Sequence, residues 1–554
     1  MSQSPPQLGF GAPYEPQPGV YGDPGQPQPG PYGQPSGPYG QPPQSSYGYP
    51  PQSPTAPSGR PQPQPPNRPS GGRSRGRLVG LVAAVLAGVL VVGAGVWFVA
   101  GGDGGSDDRK PVATESAGPK QPGGEPRPKF TPAPGADELN KGRKKGEAKV
   151  RWVQKNGVDV PAVGGAVRGP WVAGDIVAKA MYRTVSGYSV EDGTRRWSLP
   201  LPADFCAAPT LPSADGQIVL ALRADTTGEA DCDRLQMIDL TTGKAGWTAT
   251  LDRSGSMDGL SHIAMAVNGD VVTVGRLTRT DAYRIGDGKH LWGRLPGSCQ
   301  PYAFTGGDVP LAAVDCRKDP SEASTPDEEV RRMDPATGRT VWTYKVKKGW
   351  RIDQFYSVDP PVVSLRKDED TPEPMWAIAF LNADGTFRAQ PVPGKENFAV
   401  RCGAEGENLD NCIGVAADDD TFYLTTEPAP VGGELSNAVV AFDMRTGKIK
   451  WKVPAPRAQR LYPLRVEDGN VLLYLSPSPP GDDRTGGGIM ALGPQGGALR
   501  PVLRHPASAA AAESGMFEPA VRYSGGRSLI TSTRVGADDD EEELDRQTMI
   551  AFGD

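Results

Sequence analysis

The sequence predicts an all-β fold, an eight-bladed β-propeller, which follows a disordered tail and one transmembrane helix. Three observations support this prediction. Short apolar runs alternate with turn signals from residue 147 onward, which is typical of β-strands. A strand–turn–strand element recurs at intervals of about 50 residues, the length of one propeller blade. The first and last segments of the region carry complementary halves of this element.

Residues 1–77 are predicted to form a disordered cytoplasmic tail rich in Pro, Gly, Gln and Tyr. The first 70 residues hold 22 of the 59 prolines, and such a segment lacks the apolar mass that offsets chain entropy. Its six tyrosines leave two interpretations open, a solvated tether or a tail that self-associates or meets a proline-binding module. The tether is the favoured interpretation.

The segment Leu78–Ala100 is predicted to be a transmembrane helix. It contains 23 residues and no charge. At a rise of about 1.5 Å per residue it spans roughly 34 Å, enough for a hydrocarbon core of about 30 Å. Four arginines lie just before it and three aspartates just after it, which predicts a cytoplasmic N-terminus and a C-terminal region outside the cell membrane. Residues 101–146, rich in Gly, Pro and charge, are interpreted as a flexible linker.

The repeated element consists of an apolar strand, an acidic turn, a glycine and a tryptophan four residues later. It occurs as YSVEDGTRRW, MIDLTTGKAGW, YRIGDGKHLW, MDPATGRTVW and AFDMRTGKIKW. Asp or Thr before Gly favours a tight turn, so each copy predicts a hairpin. A tryptophan at a constant place predicts packing between neighbouring blades. The expected packing residues are Trp152, Trp197, Trp247, Trp292, Trp342 and Trp451.

Two degraded copies complete the count. Ala389 replaces the tryptophan in one copy, and Arg500 or Pro501 replaces it in another. Together with Trp152 these positions define eight units across residues 147–554. The opening EAKVRWVQ supplies a tryptophan-bearing strand without a partner, and the final RQTMIAFGD supplies the strand that normally precedes it. Pairing the two would close the ring and remove exposed sheet edges.

The copies IDLTTGKAGW and FDMRTGKIKW resemble the pyrroloquinoline-quinone (PQQ) repeat family. The resemblance covers residues 148–554 and implies a propeller. That family includes quinoprotein alcohol dehydrogenases and also non-catalytic members, such as the propeller lipoprotein of the bacterial outer-membrane barrel-assembly machine. The resemblance therefore implies the fold more strongly than a chemistry.

The sequence favours a protein that is not an enzyme. A quinoprotein dehydrogenase resembling this family would need an ion on the quinone, a catalytic aspartate, a stacking tryptophan and often adjacent cysteines; adjacent cysteines are absent. The three histidines, His262, His290 and His505, are interpreted as structural or solvated. No catalytic, cofactor-binding or metal-ligating residue and no cofactor are predicted. The net charge of −6 argues against nucleic acid as a partner.

The six cysteines fall two by two into three units. Local pairing on the outer side of a membrane predicts the disulfides Cys206–Cys232, Cys299–Cys316 and Cys402–Cys412. The alternative is buried free thiols. The acidic run at residues 537–545 lacks the ligand spacing of a calcium loop and is interpreted as a solvated loop before the final strand.

These features predict a single-pass membrane protein that presents a non-catalytic, extracytoplasmic PQQ-like propeller. Its expected partners are the lipid bilayer, through Leu78–Ala100, and an unidentified protein or cell-envelope component. The long insertion in the 389–451 unit and the loop Ser476–Gly488 are candidate contact loops, although tolerated surface insertions explain them equally well. Two alternatives remain, a membrane-tethered PQQ-dependent oxidoreductase and a sensor whose cytoplasmic tail signals.

Overall fold

The computed structural model of the chain describes residues 132–554, except for short gaps at 228–229, 254, 256–257, 319–325, 368–374, 404–407, 480, 482–484 and 538. The predicted tail at residues 1–77, the transmembrane segment Leu78–Ala100 and most of the linker lie outside the described residues. Among the residues that are described, none of the helices is both long enough and apolar enough to span a bilayer.

The described residues form eight antiparallel sheets, which are the eight blades that the repeat predicts. Blade 1 contains the strands Gly165–Ala173, Ile176–Met181, Thr184–Ser189 and Arg195–Pro200, and blade 2 contains Phe205–Ala207, Gln217–Arg223, Cys232–Asp239 and Lys244–Thr250. Blade 3 contains Ala264–Asn268, Val271–Arg276, Arg279–Arg284 and His290–Trp292, and blade 4 contains Gln300–Phe304, Leu311–Asp315, Glu328–Met333 and Thr340–Lys345. A short strand, Arg534–Val535, adds to the edge of blade 1.

Blades 5 to 8 follow the same order, and blade 8 takes its fourth strand from the beginning of the described region. Blade 5 contains the strands Arg351–Val358, Pro361–Lys367, Met375–Leu381 and Phe387–Ala389, and blade 6 contains Val415–Ala417, Thr421–Thr425, Ala438–Asp443 and Ile449–Pro454. Blade 7 contains Leu461–Glu467, Asn470–Leu475, Gly488–Gly493 and Gly496–Arg504, and blade 8 contains Ala520–Ser524, Arg527–Thr531, Gln547–Gly553 and Lys149–Lys155. A hairpin, Ala429–Val431 and Glu434–Ser436, is inserted into blade 6.

The ring closes as the two ends of the repeat region predict. Strand Lys149–Lys155 pairs with Gln547–Gly553, and Trp152 lies opposite Ala551. Val150 lies opposite Phe552, and both side chains are fully buried. One sheet is thus built from both ends of the propeller, so blade 8 is a complete four-stranded sheet.

In the repeat turns of blades 1 to 6, an aspartate accepts hydrogen bonds from the turn backbone. In blade 2, Asp239 Oδ1 accepts hydrogen bonds from the Thr241 N–H at 2.8 Å and the Thr242 N–H at 3.2 Å, and Gly243 has φ of 70°. In blade 1, hydrogen bonds from the Thr194 N–H and from Ser189 lower the pKa of Asp192 to about 2. The carboxylate therefore organises the turn, and the glycine supplies the left-handed backbone that the turn needs.

The repeat tryptophans lie between blades, as expected, and their indole N–H groups reach the next blade. The acceptors are backbone carbonyls: Trp152 to Val190 at 3.1 Å, Trp197 to Leu240 at 3.1 Å, Trp247 to Ile285 at 2.7 Å, Trp292 to Pro335 at 2.8 Å, and Trp451 to Pro494 at 2.9 Å. The indole N–H of Trp342 is buried and has no acceptor among the described residues. Two copies of the repeat lack the tryptophan. In one of them, Ala389 stands at the tryptophan position and pairs with Phe380. In the other, Arg500 rather than Pro501 stands at that position and pairs with Ala491.

The turn glycines leave room for these indoles. The turn glycine of the next blade faces the ring at Gly193, Gly243, Gly288, Gly338, Gly385 and Gly496. A Cβ at Gly243, for example, would overlap the ring of Trp197. The glycine of the repeat thus serves two purposes, a positive φ and close contact with the preceding blade.

Two segments differ from their sequence interpretation. Ordered structure begins before residue 147: helix Ala136–Lys141 buries Leu139, and the Asn140 side chain bonds both the N–H and the carbonyl of Val150 at 2.9 and 2.8 Å. The acidic run contains a helix, Asp540–Asp545, because Asp539 caps it by accepting from the Glu542 N–H. The remaining helical segments are the 3-10 turn Ala507–Ala509 and the helix Ala510–Ser514.

Candidate functional site

A cavity of about 680 Å³ lies at the centre of the ring. Its walls come from the first strands of blades 1, 2 and 8, from the segment before blade 3, and from a loop of blade 6. Because blades 2 and 6 stand far apart in the ring, a cavity that both reach lies near the propeller axis. Its volume is in the range of small-molecule binding sites.

A loop of blade 6 is closed by the Cys402–Cys412 disulfide. Its described residues, 402–403 and 408–412, are called the axial loop here. Asn408 is buried, and its Nδ2 donates to the Ala208 carbonyl at 2.8 Å while its Oδ1 accepts from the Met265 N–H at 2.7 Å. One side chain therefore ties blade 6 to blades 2 and 3.

The next two residues of the axial loop hold blades 2, 4 and 5. Asp410 Oδ1 accepts from the Thr210 hydroxyl at 2.7 Å, and its Oδ2 accepts from the Gly306 N–H at 2.7 Å. The Leu409 carbonyl accepts from the Phe355 N–H at 2.6 Å. Burial raises the pKa of the Asp410 carboxyl, while these two donors oppose that shift. The loop is thus anchored across the ring, and it forms one wall of the cavity.

The cavity is positively charged in a chain whose net charge is negative. Four arginines line it against two carboxylates, Asp410 and Glu518; the arginines are Arg168, Arg401, Arg522 and Arg534. The excess of two positive charges contrasts with the net charge of −6 for the whole chain. A concave site with this charge favours an anionic ligand.

Arg522 is the distinctive cation of this cavity. It is partly buried on the first strand of blade 8, and its guanidinium makes no hydrogen bond or ion pair within the described part of the chain. Burial lowers the pKa of Arg522, and the charge of Asp410 only partly offsets this effect. Arg401, in contrast, lies over the Tyr462 ring at 5.3 Å, and Arg534 donates to the Val163 carbonyl.

Exposed apolar side chains lie at the cavity or next in sequence to residues that line it. Phe517, which lines it, is 53% exposed, and Val163 and Leu211, each next to a lining residue, are 78% and 40% exposed. Trp171 also lines the cavity, but its ring is buried and its indole N–H donates to the Pro209 carbonyl at 3.0 Å. The site therefore combines an apolar rim with an interior arginine.

The structure pairs all six cysteines as the sequence predicts, in Cys206–Cys232, Cys299–Cys316 and Cys402–Cys412. Cys206, Cys402 and Cys412 line the cavity, whereas the repeat tryptophans lie between blades and away from it. Among the described residues, one group of potential metal ligands lies close together, Cys299, Cys316 and Glu329. Both sulfurs of that group are in a disulfide, which leaves no thiolate to bind a metal.

Sequence reasoning missed Arg522, Asp410 and Asn408. It did select the 389–451 insertion, in which Asn408 and Asp410 lie. None of the three stands in a recognisable motif. The sequence signal that an ordered loop surrounds Asp410 was the pair of cysteines that flanks it, Cys402 and Cys412.

The three histidines do not gather at the cavity. His262 is exposed at its edge, and His290 is exposed in blade 3, 3.3 Å from Asp281. His505 is buried between the Glu513 carboxylate at 3.0 Å and the Ser528 hydroxyl at 2.7 Å. This arrangement has the order of a serine–histidine–acid triad, but Ser528 is fully buried, so no substrate reaches its hydroxyl. The network is structural.

Fold and site together define an eight-bladed propeller with a central cavity. The chain belongs to the PQQ-repeat propeller family whose description is "Outer membrane protein assembly factor BamB", which matches residues 143–297 and 326–500. This match confirms the resemblance seen in the repeat. No curated protein matches the chain.

Several solved structures are similar to this chain at low identity. BamB from Moraxella catarrhalis is 14% identical, with 72% of this chain and 99% of that chain covered and a TM-score of 0.36. Quinohemoprotein alcohol dehydrogenase from Comamonas testosteroni is 12% identical, with 76% and 77% covered and a TM-score of 0.40. A europium-containing methanol dehydrogenase is 12% identical, with 76% and 95% covered and a TM-score of 0.39.

Proposed function

We propose that this chain is a non-catalytic binding protein of the cell envelope, which recognises a protein or another envelope component through its central cavity. The observation that carries the proposal is the cavity with its apolar rim. Phe517 exposes apolar surface at the cavity, and Val163 and Leu211 expose apolar surface next in sequence to lining residues; such surface marks ligand or protein binding. The family description, an assembly factor of the outer membrane, supports a partner in the envelope.

The polar groups of the cavity support binding rather than catalysis. Both oxygens of Asp410 accept hydrogen bonds from blades 2 and 4, so this carboxylate is committed to holding the axial loop. Trp171 has its ring buried and its N–H bonded, which leaves no free indole face for a planar cofactor. Addition of PQQ and calcium to the full-length protein should therefore yield no dye-linked dehydrogenase activity, and activity would contradict the proposal.

The three disulfides support an extracytoplasmic location for the propeller. Disulfides persist in oxidising compartments and are rare in the cytosol. Together with the uncharged segment Leu78–Ala100, they favour a propeller held outside the cell membrane by a single span. Externally added protease should degrade the propeller in intact spheroplasts while a tag at residue 1 survives; survival of both would contradict this topology.

Site-specific photo-crosslinking tests the binding role. A photoreactive residue at Phe517 in the full-length chain should capture a partner in cells that produce it, and the same residue at Leu211 should capture the same partner. The matched control is Val341, an exposed apolar side chain (54%) on the fourth strand of blade 4. Equal capture from all three positions, or capture from Val341 alone, would place recognition away from the cavity and overturn the proposal.

A further inference from the structure

We propose that the central cavity binds a carboxylate group attached to an apolar body, with Arg522 as its principal contact. This inference rests on the proposed binding function and adds the chemistry of the ligand. Two sources could supply that chemistry, a small organic carboxylate or the C-terminal carboxylate of a polypeptide, and the experiment below separates them.

The first argument is the state of Arg522. A guanidinium taken out of water normally gains hydrogen bonds or a salt bridge in compensation. Arg522 has neither among the described residues, although it is partly buried and lies on a regular strand, Ala520–Ser524, at the edge of the blade 8 sheet. The charge of Asp410 acts on Arg522, but the two form no ion pair, and the oxygens of Asp410 accept instead from Thr210 and Gly306. A ligand anion would supply the missing partner.

The second argument is selection between anions. A guanidinium offers a planar pair of donors that matches a carboxylate in bidentate geometry. Asp410 adds a negative charge to the same cavity, which opposes a doubly charged phosphate more than a singly charged carboxylate. Arg522 and the fixed Asp410 carboxylate together therefore fit a monoanion better than a dianion.

The third argument is the apolar part of the cavity wall that also contains Arg522. Ile263, Ile413 and Phe517 line the cavity with apolar surface, and Pro519 lies between Phe517 and the strand that carries Arg522. Burial of an apolar group against these side chains would add affinity that a bare inorganic ion cannot gain. The cavity volume of about 680 Å³ accommodates a ligand of drug-like size or the last residues of a peptide.

Calorimetric titration of the purified full-length chain tests the inference. The probes are 3-phenylpropionate against its uncharged amide, and the peptide acetyl-Gly-Gly-Phe with a free C-terminus against the same peptide as an amide. We expect each carboxylate to bind about ten- to a hundredfold more tightly than its amide, as for hydrogen bonds to a charged group. Tighter binding of the peptide acid than of phenylpropionate would identify a polypeptide C-terminus, and the reverse order a small carboxylate. Equal binding of acid and amide, or tighter binding of inorganic phosphate, would overturn the inference.

Two variants and a control complete the test. Arg522→Gln should lose the preference for acid over amide, and Arg522→Lys should retain part of it because the positive charge remains. Arg445→Gln, which removes an exposed arginine of a blade 6 turn, should keep the full preference. In the absence of probe, Arg522→Gln should melt at the same temperature as the wild type or higher, because it removes a partly buried charge that has no partner among the described residues. A lower melting temperature than that of Arg445→Gln would show that Arg522 serves the fold, and it would overturn the inference.

Failure of this inference is distinguishable from failure of the proposed function. If the Phe517 photo-crosslinker captures a partner equally in the wild type and in Arg522→Gln, the cavity rim binds a partner without the carboxylate contact. If the probes bind through Arg522 but no partner is captured at the rim, the carboxylate site stands and the proposed recognition of an envelope partner fails.

Discussion

At the scale of single residues, the repeat glycine carries a constraint that its turn alone does not explain. Gly243 and Gly469 share a φ of 70°, but Gly243 faces the ring of Trp197, whereas nothing lies within 4 Å of the Cβ position at Gly469. Gly469→Ala should therefore lower the free energy of unfolding by about 1 kcal/mol, the cost of the left-handed backbone. Gly243→Ala should lower it by about 3 kcal/mol, since the methyl group also displaces an indole. Denaturant titration measures both, and equal losses would contradict this account.

The repeat tryptophans also differ among themselves. Trp197 donates its indole N–H to the Leu240 carbonyl at 3.1 Å, while the N–H of Trp342 is buried without an acceptor in the described region. Substitution by Phe removes a hydrogen bond at the first position and an unsatisfied donor at the second. Trp197→Phe should therefore cost about 1 kcal/mol more in unfolding free energy than Trp342→Phe. If Trp342→Phe is the more destabilising of the two, its N–H has a partner in solution.

At the scale of elements, a buried lysine stands at the junction of blades 8 and 1. Lys179, on strand Ile176–Met181, donates to the Thr548 hydroxyl and lies 5.8 Å from the centre of the Tyr188 ring. Burial lowers the pKa of Lys179 from 10.5 to about 7. The unfolded chain therefore binds a proton at this lysine more tightly than the folded chain does. The resulting loss of folding stability is complete below pH 7, where both states are protonated, and it becomes smaller as the pH rises from 7 to 10.5.

Lys179→Met should stabilise the propeller at pH 6 by about 1–2 kcal/mol, because a methionine fills the space without a charge. The advantage over the wild type should shrink between pH 7 and pH 10. Thr548 keeps its bond to the Gln154 carbonyl in the variant. The control is Lys450→Met, which removes an exposed lysine that also donates to a threonine, Thr421, and should change stability little at any pH. A pH-independent difference for Lys179→Met would refute the titration argument.

At the scale of the whole molecule, stability depends on how the ring is closed. Blades 2 to 7 are each made of one continuous stretch of chain, but blade 8 joins Lys149–Lys155 to Gln547–Gly553 without a covalent link. Trp152 secures that junction: its N–H donates to Val190 of blade 1, and its ring covers Gly193. Loss of this indole should loosen both ends of the chain at once.

Trp152→Ala and Trp247→Ala make the same truncation at different boundaries. Both should cost about 3–5 kcal/mol, as for large aromatic truncations in a core. Trp247→Ala should raise amide hydrogen exchange in blades 2 and 3, where the chain is continuous. Trp152→Ala should raise exchange throughout Lys149–Lys155 and Gln547–Gly553, since the N-terminal strand can detach as a unit. Similar local patterns for both variants would show that closure adds nothing to the ring.

The sequence by itself determined the number of blades, the closing strands, the tryptophan contacts and the three disulfides. These features depend on local pattern: a strand and a tight turn are encoded within about ten residues, a constant period sets the count, and cysteines within one unit meet through short loops. The helices Ala136–Lys141 and Asp540–Asp545 were missed because packing and capping, rather than periodicity, order such short segments.

Only the tertiary structure decided where the cavity lies and which groups face it. Thr210 and Asp410 meet across 200 residues of chain, and Arg522 of blade 8 lies close enough to Asp410 for their charges to interact. Each of these residues is ordinary in its local sequence, an arginine on a strand or an aspartate in a loop. Their meeting at the axis follows from the closed ring, which brings the first strands of distant blades to one centre and lets a loop from blade 6 reach across it. A contact between segments so far apart is set by the geometry of the whole ring, and no local pattern encodes it.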